Sequence, residues 1–174
     1  MKVEIRQSGF DPCAELRRFE ERLGRDGKYG AEVHFIGTMR DFNEGERVVA
    51  MSLEYFPGMT EKHLERISDE AQHRWEILDT LIVHRVGELR PGDPIVLVAV
   101  WAANRGPAFE ACRYLIEELK SRAPFWKKEQ LETATRWVEH NTPAGGETSG
   151  NPLSDRHSGQ ASRQASAIRN PERH

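Results

Sequence analysis

Apolar and polar positions change period several times along the chain, and each change marks an element. Asp11-Pro12 is suited to cap and open a helix, with Leu16, Phe19 and Leu23 as its apolar stripe and "GRDG" as its end. "YGAEVHFIG" then alternates Ala31, Val33 and Phe35 against Glu32 and His34, the period of a strand. After the loop "TMRDFNEGER", the run "VVAMSLEY" predicts a second strand. Leu64, Ile67, Ala71 and Trp75, following "FPGMT", predict a helix of about four turns. "TLIVHRVGEL" reads as a strand, "RPGD" as a turn, and "PIVLVAVWA" as a strand apolar on both faces and central to a sheet. A third helix is expected over about 107 to 120, entered at Pro107 and buried through Phe109, Cys112, Ile116 and Leu119. "TRWVEH" suggests a last short strand. The class is therefore α+β, a sheet with helices packed against it, in a single domain over residues 1–140.

From Asn141 onward the composition shifts to Gly, Ser, Pro and Asn, with only two large aliphatic residues and no sustained period. Such a segment buries too little apolar surface to offset the entropy of ordering it. Residues 141–174 are expected to form a disordered tail, the alternative being a short helix near Ala165 to Ile168 that folds on a partner. The whole chain has 174 residues, 37% of them hydrophobic and 30% charged, with formal net charge -3. That balance argues against a general nucleic-acid binder, whose phosphate contacts favour a basic surface. "MKVEIRQSGF" contains no apolar stretch of signal-peptide length, and "PIVLVAVWAA" is too short to span a bilayer, so the cytoplasm is the plain expectation. Cys13 and Cys112 are far apart and form no disulfide or metal framework, and Cys112 reads as a packed thiol. His34, His63, His73, His84 and His140 fall on different elements without metal-ligand spacing. His84, within a strand, reads as a partly buried, hydrogen-bonded side chain.

Against this acidic background, cations gather in three places. "GTMRDFNEG" offers Arg40 between Gly37 and Gly45; "AANRGPAFEA" offers Asn104 and Arg105 before a helix N-terminus; "KSRAPFWKKEQ" crowds Lys120, Arg122, Lys127 and Lys128 around Pro124, Phe125 and Trp126. Free N–H groups at a helix start favour an anion, and two strand ends and a helix end can meet at one rim of a sheet. Lys120, one residue beyond Leu119, can lay its stem on apolar surface while its ammonium reaches the helix end. The rings of Phe125 and Trp126 can hold the backbone around Lys127 and exclude water. Desolvation or a second ammonium would lower a lysine pKa, and a bound anion would raise it, so proton carrier, nucleophile and anion clamp all stay open. The chemistry these residues suit is work on a small anion.

The motifs "HFIGTMRDFNEG", "LEYFPGMTEK", "HRVGELRPGD" and above all "AFEACRYLIEELKSRAPFWKKE" closely resemble, in order and spacing, the large catalytic subunit of molybdopterin synthase, the MoaE family. The resemblance covers about residues 3 to 140. It implies an α/β-hammerhead fold and a homodimer, assembled into a heterotetramer with two small ubiquitin-like sulfur-carrier subunits resembling MoaD. It further implies that the carrier's C-terminal Gly-Gly thiocarboxylate enters the large subunit's site. Sulfur is then transferred twice to cyclic pyranopterin monophosphate, precursor Z, to give the dithiolene of molybdopterin. Neither cofactor nor metal is called for, and no nucleic acid or membrane partner. By the same resemblance Lys120 and Lys127 are the catalytic pair. Arg40 and Arg105 are substrate and phosphate contacts, with Thr38, Met39, Asn104, Lys128 and Glu129 around them. Two positions depart from the family pattern: an amide at Asn104 stands where histidine is common, and Thr38 where lysine is frequent. An amide hydrogen-bonds but does not exchange protons near neutral pH. Two other classes of function fit the residues: a noncatalytic scaffold binding a ubiquitin-like tail, and a general binder of phosphorylated metabolites.

Overall fold

The computed structural model describes residues 1–24, 27–43, 45–131 and 135–138. The expected tail, residues 141–174, lies outside them. In chain order the elements are β1 (Lys2–Arg6), α1 (Pro12–Leu23), β2 (Ala31–Thr38), β3 (Phe42–Asn43), β4 (Glu46–Tyr55) and α2 (Met59–Arg74). They continue with β5 (Ile77–Arg85), β6 (Gly87–Leu89), β7 (Pro94–Ala102), α3 (Arg105–Arg122), β8 (Phe125–Leu131) and β9 (Thr135–Val138). The class is α+β, as the periodicity predicts, but the strands form two sheets rather than one.

The first sheet runs in the order β1-β5-β7-β2. Its central strand β7 is buried from Val96 to Ala102, which is why that run is apolar on both faces. Helix α1 covers one face: Leu16 and Phe19 pack on Leu81, Val83, Leu97, Ala99 and Trp101, with the Phe19 and Trp101 rings stacked at 4.7 Å. Helices α2 and α3 cover the other face, where Leu64, Ile67, Leu115 and Ile116 meet Ile82, Val96, Val98 and Val100. The start of α1 follows from its cap, because the Asp11 carboxylate accepts the Cys13 N–H at 2.9 Å and the Ala14 N–H at 3.3 Å. Strand β1 pairs in parallel with β5 and is tied to α1 by the buried Glu15, which binds Arg6 at 2.9 Å and Arg18 at 2.8 Å.

The second sheet runs β3-β4-β8-β9, with β6 also on β4. Its own core holds Met39, Val48, Met51, Leu53, Leu89 and Leu131. Gly87 adopts φ 81°, a left-handed conformation that breaks the predicted "TLIVHRVGEL" strand. The break lets β5 serve the first sheet and β6 the second. Helix α3 begins at Arg105, ahead of Pro107, and its stripe differs from the expected one. Ala108, Ala111, Cys112, Leu115, Ile116 and Leu119 face inward, while Phe109, a turn position away from that stripe, is 61% exposed. Strands β1, β3 and β8 are additional to the predicted elements.

Leu115, fully buried between α3 and the first sheet, provides a test of this packing. Leu115→Ala should lower unfolding stability by about 2–5 kcal/mol, through lost transfer energy and the cavity left behind. Chemical denaturation with unchanged m-value measures it; a change under about 0.5 kcal/mol would contradict the packing.

Candidate active site

A cleft of about 200 Å³ opens where the C-terminal half of α3 and the ends of the first sheet face the second sheet. Each element contributes by its period. Leu119 and Ile116 of α3 form apolar wall, and Lys120 follows at the rim, exposed at its head. In β8 side chains alternate faces, so Phe125, Lys127 and Glu129 enter the cleft, while Trp126 lies outward, 46% exposed and 6.0 Å from Phe56. Gly37 of β2 matters for room: a Cβ there would stand 2.9 Å from Val96 Cγ1 and 3.2 Å from Phe35. Beyond it Met39 is held by the "RPGD" turn, its N–H donating to Asp93 O at 2.9 Å and its carbonyl accepting from Gly92 at 2.8 Å. Thr38, Met39 and Arg40 are thereby carried along the cleft's edge, with the Arg40 guanidinium 5.0 Å from the Phe42 ring centre.

Among the described residues the cleft holds three cations, Arg40, Lys120 and Lys127, against one carboxylate, Glu129. Glu129 is only 1% exposed, and its charge is compensated locally. Lys127 Nζ sits 2.6 Å from its Oε1, and Asn43 Nδ2 donates to both oxygens at 2.9 and 3.1 Å. A buried carboxylate held by a cation and an amide is a fixed negative post, and Lys127 is positioned by it. On the floor His84 is 4% exposed. Its ring stacks on Phe125 at 3.9 Å and 14°, and its Nδ1 lies 2.9 Å from the Arg85 carbonyl. Burial pushes its pKa down to about 4, so the imidazole is neutral around pH 7. The excess of positive charge between apolar walls suits an anionic, partly apolar ligand.

A family model described as MoaE protein matches residues 7–122. The molybdopterin synthase catalytic subunit of Ralstonia nicotianae is 50% identical over 137 residues, spanning 79% of this chain and 76% of that protein. The chain belongs to the MoaE family. The Pseudomonas aeruginosa protein of the same name is 47% identical over 140 residues, 80% of this chain and 91% of that one. Among solved structures, a MoaE protein from Burkholderia ambifaria has TM-score 0.68 and 45% identity over 82% of this chain and 91% of its own. A molybdopterin synthase structure from Staphylococcus aureus has TM-score 0.71 and 34% identity, covering 80% and 99%.

In this MoaE chain the cleft gathers Thr38, Met39, Arg40, Lys120, Lys127 and Glu129 from the sequence-predicted set. Lys128 stands on the opposite face of β8, its Nζ 5.2 Å from the Trp137 ring. Asn104 precedes and Arg105 begins α3, and Arg105 stands 15 positions and about 22 Å of helix away from Lys120. The predicted meeting of three loops at one rim therefore does not occur within one chain. Asn43, His84 and Phe125 were not predicted as cleft residues. Asn43 belongs to the cation-bearing stretch "GTMRDFNEG", but nothing in its spacing identifies a partner 86 positions away. Cys112 is buried against Val98, with its thiol pushed up to about 11, and Cys13 is exposed on α1; neither lines the cleft.

The Asn43 clamp yields a stability prediction independent of any reaction. Asn43→Ala should destabilise the fold by about 1–3 kcal/mol, because the buried Glu129 loses its amide donor. Asn43→Asp, nearly isosteric, should cost more at neutral pH by setting a second carboxylate against the first. Urea unfolding of the three proteins measures the order; equal stability of all three would remove the clamp.

Proposed function

We propose that this chain is the catalytic subunit of a molybdopterin synthase, transferring sulfur from a small carrier's C-terminal thiocarboxylate to cyclic pyranopterin monophosphate. The observation that carries the reading is Lys120 and Lys127 facing one cleft from different layers of the fold, with Arg40 beside them. Family membership and the similarity to molybdopterin synthase catalytic subunits support the same activity. Each transfer forms a carbon–sulfur bond to the pterin side chain and displaces an oxygen substituent, which needs a proton or a cation. Water then cleaves the resulting thioester to the carrier, releasing its carboxylate and leaving sulfur on the pterin. A second loaded carrier completes the dithiolene.

In this reading Lys120 meets the reacting atoms as proton donor and charge stabiliser. Lys127, held by Glu129, is the oriented cation that receives the carrier's terminal carboxyl group. Arg40 binds the phosphate, a planar donor fork for an anion. Thr38 offers a hydroxyl and Met39 a buried wall. Lys128 acts at most as distant charge. Asn104 and Arg105 reach such a cleft only from a second copy of the chain, which fits the homodimer proposed here. The small carrier would complete a heterotetramer. No helix among the described residues is long and apolar enough to cross a membrane, and we place the reaction in the cytoplasm.

Two measurements test this reading. With saturating thiocarboxylated carrier and precursor, Lys120→Ala should lower turnover by about tenfold to a hundredfold or more while thermal stability stays near wild type. Lys120→Arg, which keeps charge but not a compact, exchangeable ammonium, should fail nearly as badly. Full activity of both variants would sink the catalytic assignment of Lys120 and leave it a surface cation. Sedimentation at micromolar concentration should give a dimer of the 19.9 kDa chain; co-expressed Lys120→Ala and Arg105→Ala chains should then regain part of the activity that each lacks alone. A monomer only, or no recovery, would remove Arg105 from the site.

A further inference from the structure

The cleft's polar groups are unequal in what they offer a ligand. Arg40, Lys120 and Lys127 are donors only. Glu129 is the one carboxylate acceptor lining the cleft among the described residues, and Asn43 and Lys127 already hold it. His84 differs from all of these. Its Nδ1 is 2.9 Å from the Arg85 carbonyl, which has no proton to give, so Nδ1 carries the hydrogen and donates it. In the neutral ring Nε2 is then a lone-pair acceptor. The stack on Phe125 at 3.9 Å and 14° fixes the plane of the ring, and the residue lines the cleft although only 4% exposed. A pKa down to about 4 keeps it an acceptor rather than a fourth cation at neutral pH. The charged groups that line the same cleft come from α3 (Lys120), from β8 (Lys127, Glu129) and from the segment after β2 (Arg40); its neighbour Arg85 is paired with Asp93 at 3.0 Å.

A pocket that bound only phosphate and carboxylate would have no use for a locked, nearly dry acceptor. A pterin does: its ring carries N–H donors at the end away from the phosphate. We propose that His84 is a substrate-binding residue whose Nε2 accepts a hydrogen bond from a ring N–H of the pterin. The ring lies at the Phe125 side of the floor, and its anionic end points to the cations. This deepens the sulfur-transfer reading and rests on it. His84 thereby selects for a donor-bearing heterocycle among phosphorylated compounds of similar charge.

Two substitutions separate the acceptor from the stack. His84→Phe keeps an aromatic ring against Phe125 and removes the acceptor. His84→Gln removes the ring and retains an amide that reaches about as far as Nε2. In steady-state assays of the full chain with thiocarboxylated small subunit, His84→Phe should raise KM for cyclic pyranopterin monophosphate about tenfold, the loss of one buried hydrogen bond. KM for the carrier should hold within about twofold. His84→Gln should stay within about threefold of wild type on both. An unchanged KM in His84→Phe, or damage in His84→Gln at least as large, overturns the assignment and leaves His84 a packing residue. A wild-type chain inert toward the precursor overturns the underlying sulfur-transfer reading instead. A measurement on the wild type guards against misfolded variants: the nitrogen-15 resonance of His84 Nε2 should report an unprotonated nitrogen in the free chain and move on adding the cyclic precursor without carrier. A protonated Nε2, or no movement at saturating precursor, overturns the proposal.

Discussion

The turn at Ala123-Pro124-Phe125 determines where the cleft's polar groups stand. Ala123 leaves α3 in an extended conformation, φ -69° and ψ 132°, as a residue preceding proline must tend to do. The Phe125 N–H closes back on the Ala123 carbonyl at 2.8 Å, and the Thr60 hydroxyl at the start of α2 donates to the Pro124 carbonyl at 3.4 Å. Within three residues the chain passes from a helix packed on the first sheet to a strand inside the second. Lys120 and Lys127 are only seven positions apart, yet they belong to different layers. Their separation is governed by how those layers pack, with Leu119 and Ile116 on one side and Met51 and Leu53 on the other, rather than by flexible side chains alone.

That arrangement also answers an electrostatic difficulty. Cations brought together between apolar walls repel one another, and a buried carboxylate alone is costly. Glu129 relieves both: it takes one ammonium at 2.6 Å and is itself held by Asn43. The remaining positive excess is available to an anionic ligand, whose attraction is strengthened by the low-polarity lining of Ile95, Val96 and Ile116. Thr38, where a lysine would add to the repulsion, contributes a neutral hydroxyl, and of Thr38, Met39 and Arg40 only Arg40 brings charge to the cleft.

Elements with one dominant periodic signal were legible in the sequence: α1 through its cap and stripe, α2 through four spaced apolar residues, β7 through its unbroken apolar run. Strand β1 was not, because "KVEIR" shows only Val3 and Ile5 against three charges, and its place comes from parallel pairing with β5 far along the chain. Strand β8 was hidden for a different reason: its inward positions include Lys127 and Glu129, so strand alternation exists there without alternating hydrophobicity. Phe109 is large but out of phase with the buried stripe; the smaller Ala108, Ala111 and Cys112 face inward instead. The rim of three loops failed on topology. Strand β7 runs antiparallel to β2, with Ala102 opposite Ala31 and Pro94 opposite Thr38. The end of β7 therefore lies beside the start of β2, and Asn104 is carried away from Thr38 and Arg40.

Strand register decides between two adjacent lysines that composition cannot distinguish. In the β4–β8 pairing Leu53 lies opposite Lys127, Met51 opposite Glu129 and Val48 opposite Leu131. Val48, Met51 and Leu53 are buried in the second core, so their partners share that inward face, and Lys128, opposite Ser52, is turned outward. A slip by one residue would put Lys128 inward and expose Glu129 and Leu131. Two contacts oppose that slip: the His84–Phe125 stack at the start of β8 and Leu131 in the core at its end. The strand is fixed at both ends by packing, and the charge it presents between them follows from that register. The choice of Lys127 over Lys128 is thus made by hydrophobic burial acting at a distance of a few residues, not by any difference in the chemistry of the two side chains.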